Sequence, residues 1–323
     1  LRLSSSDIVG EIIKAEHRIR NYIRETPVEY SPHLSSIMGA EVYLKLENMQ
    51  VTGSFKIRGV LNKLLSLSPE ERRRGVVTAS TGNHGAALAY AASILGIRGV
   101  VVLPKTVPED KVRDIEAYGA EIIVHGTDSL EAELYARRHA VRHGMTYVSP
   151  YNDIHIIAGQ GTIALELLRQ LGSIDAVLVP VGGGGLISGI AGYLKGKGLR
   201  VDIYGCQPSS SAVMYESLQA GRVVQIPYKP TLADGVAGGV EPGSITLELC
   251  RRYVDGFYLV EEGEIADAIK LMVEYHHMLV EGAAALPIAG LIKSGDTFKG
   301  RRAVLIVTGR RIGLKTLRHI MCS

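Results

Sequence analysis

The chain contains no tryptophan and only three phenylalanines, and aromatic residues fill 6% of its 323 positions. That scarcity excludes a nucleic-acid binder built on stacked aromatic platforms. Charge of one sign is also missing. With 36 Lys and Arg against 33 Asp and Glu, the net charge of +3 is too even for a protein that lives on phosphate backbones. No apolar run approaches the ~20 residues needed to span a bilayer; the runs are short, as in Val100-Val101-Val102-Leu103. Cysteine is rare. Cys206, Cys250 and Cys322 form neither an even set nor a C-x-x-C pair, so no disulfide framework is expected. Asp7 and Glu11 come early, and the N-terminal stretch does not read as a signal peptide. The expectation is therefore a reduced, cytoplasmic globular protein with no nucleic-acid or membrane partner. At 46% hydrophobic and 21% charged residues it has the composition of a folded chain, and its length suggests about two domains.

What is present is alternation. Continuous apolar, β-branched runs occur at Val42–Leu46, Val76–Ala79, Val100–Leu103, Glu121–Val124, Ala176–Val181, Val201–Cys206, Phe257–Val260 and Ala303–Val307. Runs of this kind are strands covered on both faces. Between them lie helical stretches at Ser6–Glu25, Gly85–Leu95, Ser129–His143, Gly161–Leu171, Leu186–Lys195 and Glu264–His277, the first capped by Ser6 or Asp7. The pattern predicts an α/β fold with open, mostly parallel twisted sheets and helices on both faces. Ligands of such sheets sit beyond the carboxyl ends of the strands, where glycine-rich turns open into helices.

Three segments carry chemistry. Gly182-Gly183-Gly184-Gly185 follows a strand and precedes a helix. Without Cβ atoms this backbone can fold around a phosphate and aim N–H donors at it. It lacks the Lys-Ser/Thr ending of a P-loop and the G-x-G-x-x-G spacing, which disfavours a nucleotide. Lys56 sits beside Phe55 in Thr52-Gly53-Ser54-Phe55-Lys56. An enclosed lysine loses its charge more easily and can form a Schiff base with an aldehyde; taken singly, Lys56 reads first as an exposed helix-start residue. Ser80-Thr81-Gly82-Asn83-His84-Gly85 opens a helix after a strand and suits a carboxylate, or is a plain helix cap. An amine for an aldehyde, a cradle for a phosphate and a cradle for a carboxylate are together what pyridoxal phosphate carrying an amino acid needs.

On these motifs, and on Thr26-Pro27, Leu44–Asn48, Ala158–Thr162, Thr231–Gly235 and Glu281–Ala283, nearly the whole chain resembles the pyridoxal-phosphate enzymes of the tryptophan synthase β fold, in the branch of threonine/serine dehydratases and serine racemases. The resemblance implies that Lys56 holds the cofactor and removes the α-proton, with Phe55 near the ring. It implies that Asn83 bonds the phenolic oxygen, that Gly182, Gly183, Gly184 and Gly185 hold the phosphate, and that Thr308 faces the pyridine nitrogen. Ser80, Thr81, Gly82 and His84 would surround the substrate carboxylate, Asp234 and Gly235 its side-chain end, and Gly161 and Glu281 the periphery. The implied architecture is a large cofactor-binding domain from residues 1–50 and 150–323 and a small domain, 51–149, closing over the substrate, in a homodimer or higher homo-oligomer. The implied reaction is β-elimination of a hydroxy amino acid, threonine first and serine second, to a 2-keto acid and ammonia.

Three departures shape the expectation. The family's Ser-Gly-Gly-Asn, whose serine is the nitrogen-facing hydroxyl, reads Thr308-Gly309-Arg310-Arg311 here. Gln207 and Val213 stand where the racemase pattern places acidic cation ligands, so no metal is expected there. Thr81 replaces the racemase's opposite-face serine. The last two favour dehydratase over serine racemase; a 3-hydroxyaspartate dehydratase, with Arg310 or Arg311 meeting the second carboxylate, and a non-catalytic amino-acid sensor are the other readings. The chain stops soon after Thr308, without room for a C-terminal regulatory domain. Arg58 is expected in a structural ion pair, Cys206 in the core, Arg72–Arg74 and the His139/His143 pair on solvated faces, and His276-His277 at a helix end.

Overall fold

The computed structural model describes residues 4–107, 109–227 and 229–322. Ten strands form in chain order: β1 (Val28–Tyr30), β2 (Glu41–Lys45), β3 (Val76–Ala79), β4 (Gly99–Leu103), β5 (Glu121–Val124), β6 (Thr146–Tyr147), β7 (Ala176–Pro180), β8 (Asp202–Pro208), β9 (Gly256–Val260) and β10 (Arg302–Ile306). They build two sheets. One has six strands in the order β1-β2-β10-β7-β8-β9, and the other has four in the order β5-β4-β3-β6. All neighbours run parallel except the β1–β2 pair. The expected α/β class with two mostly parallel sheets is what forms. The four-stranded sheet comes entirely from residues 76–147, and the other sheet from the chain on either side.

Alternation within single strands explains why both faces are apolar. In β7, Val177 and Val179 enter one buried cluster with Ile157 and Ile187, while Ala176 and Leu178 enter another with Leu286 and Phe298. In β3, Val76 and Val77 likewise point into separate clusters on the two faces of the smaller sheet.

The helices depart from expectation at their ends. The first runs Ser5–Ile19 and continues only as a short 3₁₀ turn to Tyr22. Its N-cap is Ser4, not Ser6 or Asp7; Asp7 is the reciprocal partner in a capping box. The helix expected from Gly161 begins two turns earlier, at Ile154, capped by Asp153. Lys56–Ser66 and Gly282–Lys293 are further helices, the latter with Pro287 inside it. Among the described residues no helix is long and apolar enough to cross a membrane.

Candidate active site

Three of the implicated segments each follow the carboxyl end of a parallel strand. Ser80–Gly82 leaves β3, Gly182–Gly185 leaves β7 and Thr308 leaves β10. Lys56 is brought in by a backbone pairing: the Phe55 amide donates to the Thr308 carbonyl (3.1 Å), the Arg310 amide donates to the Gly53 carbonyl (3.2 Å), and Ser54 and Gly309 form an antiparallel bridge. Lys56 is thus the first residue of its helix and is tied to the end of the central strand.

The Lys56 amine donates to the Pro150 carbonyl at 3.0 Å and stands 5.2 Å from the Phe55 ring centroid. Burial pulls its pKa down to about 8, against a weaker opposing pull from the Glu281 carboxylate. Glu281 is 5% exposed and caps the helix Gly282–Lys293. It accepts the Asn83 side-chain amide through both oxygens, at 2.8 and 2.9 Å, and the Arg311 backbone amide at 3.2 Å. Burial nevertheless pushes its pKa up to about 7.

Two helix N-termini face this cluster without side-chain caps. Gly82 caps Asn83–Ile94 and Gly184 caps Gly185–Gly196, and neither has a side chain to occupy the first-turn amides. Gly184 has φ +83°, a conformation that favours glycine, and a Cβ on Gly183 would fall 2.4 Å from the Tyr151 ring. Thr246 fixes the loop by donating its hydroxyl to the Gly183 carbonyl (2.7 Å).

His84 is buried, and its Nε2 donates to the Val148 carbonyl (3.1 Å). Burial, reinforced by the Lys56 charge, lowers its pKa to about 3, so it is neutral. Asp234 and Gly235 are exposed at the rim, and Asp234 pairs with Lys111 at 2.8 Å. Gly161 lies away from this cluster, in a helix crossing against Ile12 and Gly189. Arg310 packs over Gly53, and Arg311 reaches the Thr52 carbonyl (3.4 Å), so both arginines engage the loop before Lys56.

Several site residues had no reading from sequence, among them Pro150, Thr246, Tyr151 and Ser54. Tyr151 follows a Pro and precedes an Asn in an ordinary turn, and nothing local marks it. Ser54 lies inside the lysine motif, but its role depends on the distant Thr308 strand end.

A pyridoxal phosphate group fits this constellation. The Thr308 and Ser54 hydroxyls and the Asn83 Oδ1 atom are buried with no hydrogen-bond partner, a costly state that a polar ligand relieves. A loop without Cβ atoms and an amine of lowered pKa complete the complement. A family model of pyridoxal-phosphate dependent enzymes matches residues 19–309. The chain is 42% identical to an L-threonine ammonia-lyase of Thermotoga maritima over 311 residues, 96% of this chain and 77% of that one. In structure it resembles threonine deaminase isoform 2 from Solanum lycopersicum, with a TM-score of 0.93, 33% identity and coverage of 98% and 93% of the two chains. It also resembles maize serine racemase, with a TM-score of 0.91, 34% identity and coverage of 97% and 96%. A lysine set at a strand end between a glycine cradle and an uncapped helix is therefore matched by kinship along almost its whole length, and the chain belongs to the pyridoxal-phosphate dependent enzymes.

Proposed function

We propose that this chain is a threonine ammonia-lyase that also accepts serine, converting threonine to 2-oxobutanoate and ammonia and serine to pyruvate and ammonia. The observation that carries the reading is the enclosed Lys56 amine, held by the Pro150 carbonyl with a pKa lowered to about 8, in a chain 42% identical to an L-threonine ammonia-lyase. When bound, pyridoxal phosphate supplies an electron sink for the bonds at the substrate's Cα.

The protein's residues do the rest. Gly182–Gly185 and the N-terminus behind them hold the phosphate. Asn83 and Thr308, whose buried oxygens have no partner, would hold the ring, with Phe55 beside it. Ser80, Thr81 and Gly82, with the amides of the following helix, bind the substrate carboxylate. Neutral His84, held by the Val148 carbonyl, adds no charge of its own to this carboxylate site. The Lys56 amine, with a pKa near the working pH, takes the proton from Cα. Asp234 and Gly235 border the substrate's side chain. The small domain, 51–149, closes on the large one, 1–50 and 150–323, and excludes water from the elimination.

No divalent cation is assigned to the 207–213 turn. The Gln207 side-chain oxygen accepts the Tyr215 amide at 2.9 Å, and Val213 is buried. The three cysteines are free, in keeping with a reducing cytoplasmic setting, and a homodimer or higher homo-oligomer is the assembly we assign. Serine racemisation is the second reading, favoured by the likeness to maize serine racemase.

The test is a panel of L-threonine, L-serine, threo-3-hydroxyaspartate and D-serine, assayed for keto acid and for chiral inversion with and without a chelator. Threonine should give the fastest keto-acid release, unchanged by chelation. Lys56→Ala should lower it by about 10³-fold or more. Retained elimination in that variant, or inversion outpacing elimination, would overturn the assignment.

A further inference from the structure

The turn 149–152 touches both Lys56 and the glycine loop, yet the reaction as described uses none of its side chains. Its Pro150 carbonyl accepts the Lys56 amine (3.0 Å). The next residue, Tyr151, lies flat against the glycine loop: a Cβ at Gly183 would meet its ring carbons at 2.4–2.7 Å, and one at Gly185 would meet its backbone and Cβ at 3.0–3.1 Å. The Tyr151 hydroxyl accepts the Glu241 backbone amide (2.8 Å), and the Asn152 side-chain oxygen accepts the Ile245 amide (3.0 Å). Thr246, one residue on, donates to the Gly183 carbonyl. Glu241 in turn pairs at 2.9 Å with Arg137 on the helix Ser129–His143, and the Arg137 guanidinium lies 4.3 Å from the Tyr147 ring centroid. The chain of contacts therefore runs from the glycine loop through Tyr151 to the 241–246 segment, and from there to a helix of the four-stranded sheet.

We propose that Tyr151 is a positioning residue for the phosphate cradle: its ring backs the Gly183–Gly185 main chain and sets the direction of those amides, and its hydroxyl ties them to the 241–246 segment. A site's precision depends on such supporting contacts, because the amides themselves have no side chains to lock them. The inference rests on the reading that Gly182–Gly185 hold the cofactor phosphate, and the test separates the two.

Cofactor release from holoenzyme is followed by absorbance for pyridoxal phosphate and for pyridoxal, the same aldehyde without the phosphate. In the parent, pyridoxal should leave much faster. Tyr151→Leu should speed release of pyridoxal phosphate about tenfold and leave that of pyridoxal unchanged. Tyr151→Phe, which keeps the ring and loses the hydroxyl, should speed it about threefold, the effect of one lost hydrogen bond. Equal release of both forms from the parent would refute the cradle itself. A parent that discriminates, with variants that release pyridoxal phosphate at the parental rate, would refute only the role of Tyr151. So would equal acceleration of both forms, which marks general loosening. If Tyr151→Leu does not fold, the Phe variant decides by the same criteria.

Discussion

Lys56, half-buried, and Glu281, buried, are ionisable groups of opposite sign, and desolvation moves their pKa values toward each other, to about 8 and about 7. Glu281 binds its proton more tightly in the folded chain than an ordinary carboxyl with a pKa of 4.5 does. Its contribution to stability is thus fully present below pH 4.5 and is lost as pH rises through about 7. Lys56 behaves oppositely: its contribution is present above pH 10.5 and is lost as pH falls through about 8. Glu281→Gln should therefore flatten the pH dependence of stability between pH 4.5 and 7, gaining on the parent by up to about 3 kcal/mol across that window. Urea unfolding of the cofactor-free chain at several pH values measures this, and parallel profiles would mean that the Glu281 carboxyl does not titrate there. At this scale the sequence is legible where the chemistry needs contiguous residues. Four glycines after a strand announce themselves, whereas Lys56 becomes legible only together with the other two segments. Tyr151 does not announce itself, because its meaning comes from a glycine loop thirty positions away in the chain and an amide ninety away.

Helices and strands differ in how openly they declare themselves. The strands are continuous apolar runs, and each expected one forms; β1 and β6 have three and two residues, too short to show a period. The helix Ile154–Leu171 looked shorter from sequence because Gly159 and Gly161 lower intrinsic helix propensity. Packing reverses that preference. A Cβ on Gly159 would lie 2.5 Å from the Arg58 carbonyl and the Gly59 Cα, so the glycine is what lets the lysine helix approach. The same contact is locked by charge. Arg58, with 0% exposure, donates to Glu47 at 2.7 and 2.8 Å and to Glu166 at 2.7 and 2.8 Å, while Lys45 donates to Glu166 at 2.6 Å. Burial alone would raise the Glu166 pKa, but Arg58 and Lys45 hold it down at about 2. The expected ion pair of Arg58 is therefore part of a cluster of at least five charges, in which Arg20 also pairs with Glu166, joining the lysine helix, β2 and the helix Ile154–Leu171. Removing one member leaves uncompensated buried charge. Arg58→Met should cost about 3–5 kcal/mol in urea unfolding. Arg58→Lys should recover only part of this, since an ammonium cannot bridge two carboxylates as a planar fork does. A loss below about 1 kcal/mol for the Met variant, a surface-pair value, would show that the cluster adds little.

Across the whole molecule, two ion pairs tie helices of the four-stranded sheet to the 234–241 segment. Lys111, on the helix Glu109–Glu116, meets Asp234 at 2.8 Å, and Arg137 meets Glu241 at 2.9 Å. Both cations belong to helices of the four-stranded sheet, and both carboxylates to the segment beside the glycine loop. No local pattern in the sequence pairs these residues, since each partner is over a hundred positions from the other. If the small domain closes during the reaction as proposed, these pairs bias the equilibrium toward the closed form. They are partly solvated, so each is worth only about 0–1 kcal/mol. Lys111→Ala should then raise the KM for threonine by no more than about fivefold, with kcat unchanged. Salt gives the sharper reading. Screening weakens solvent-exposed pairs as the Debye length falls from about 10 Å at 0.1 M to about 3 Å at 1 M. The parent's KM should climb with added salt, and the variant, already lacking one pair, should climb less. Equal salt slopes for the two proteins would mean that Lys111 and Asp234 pair without governing access to the site.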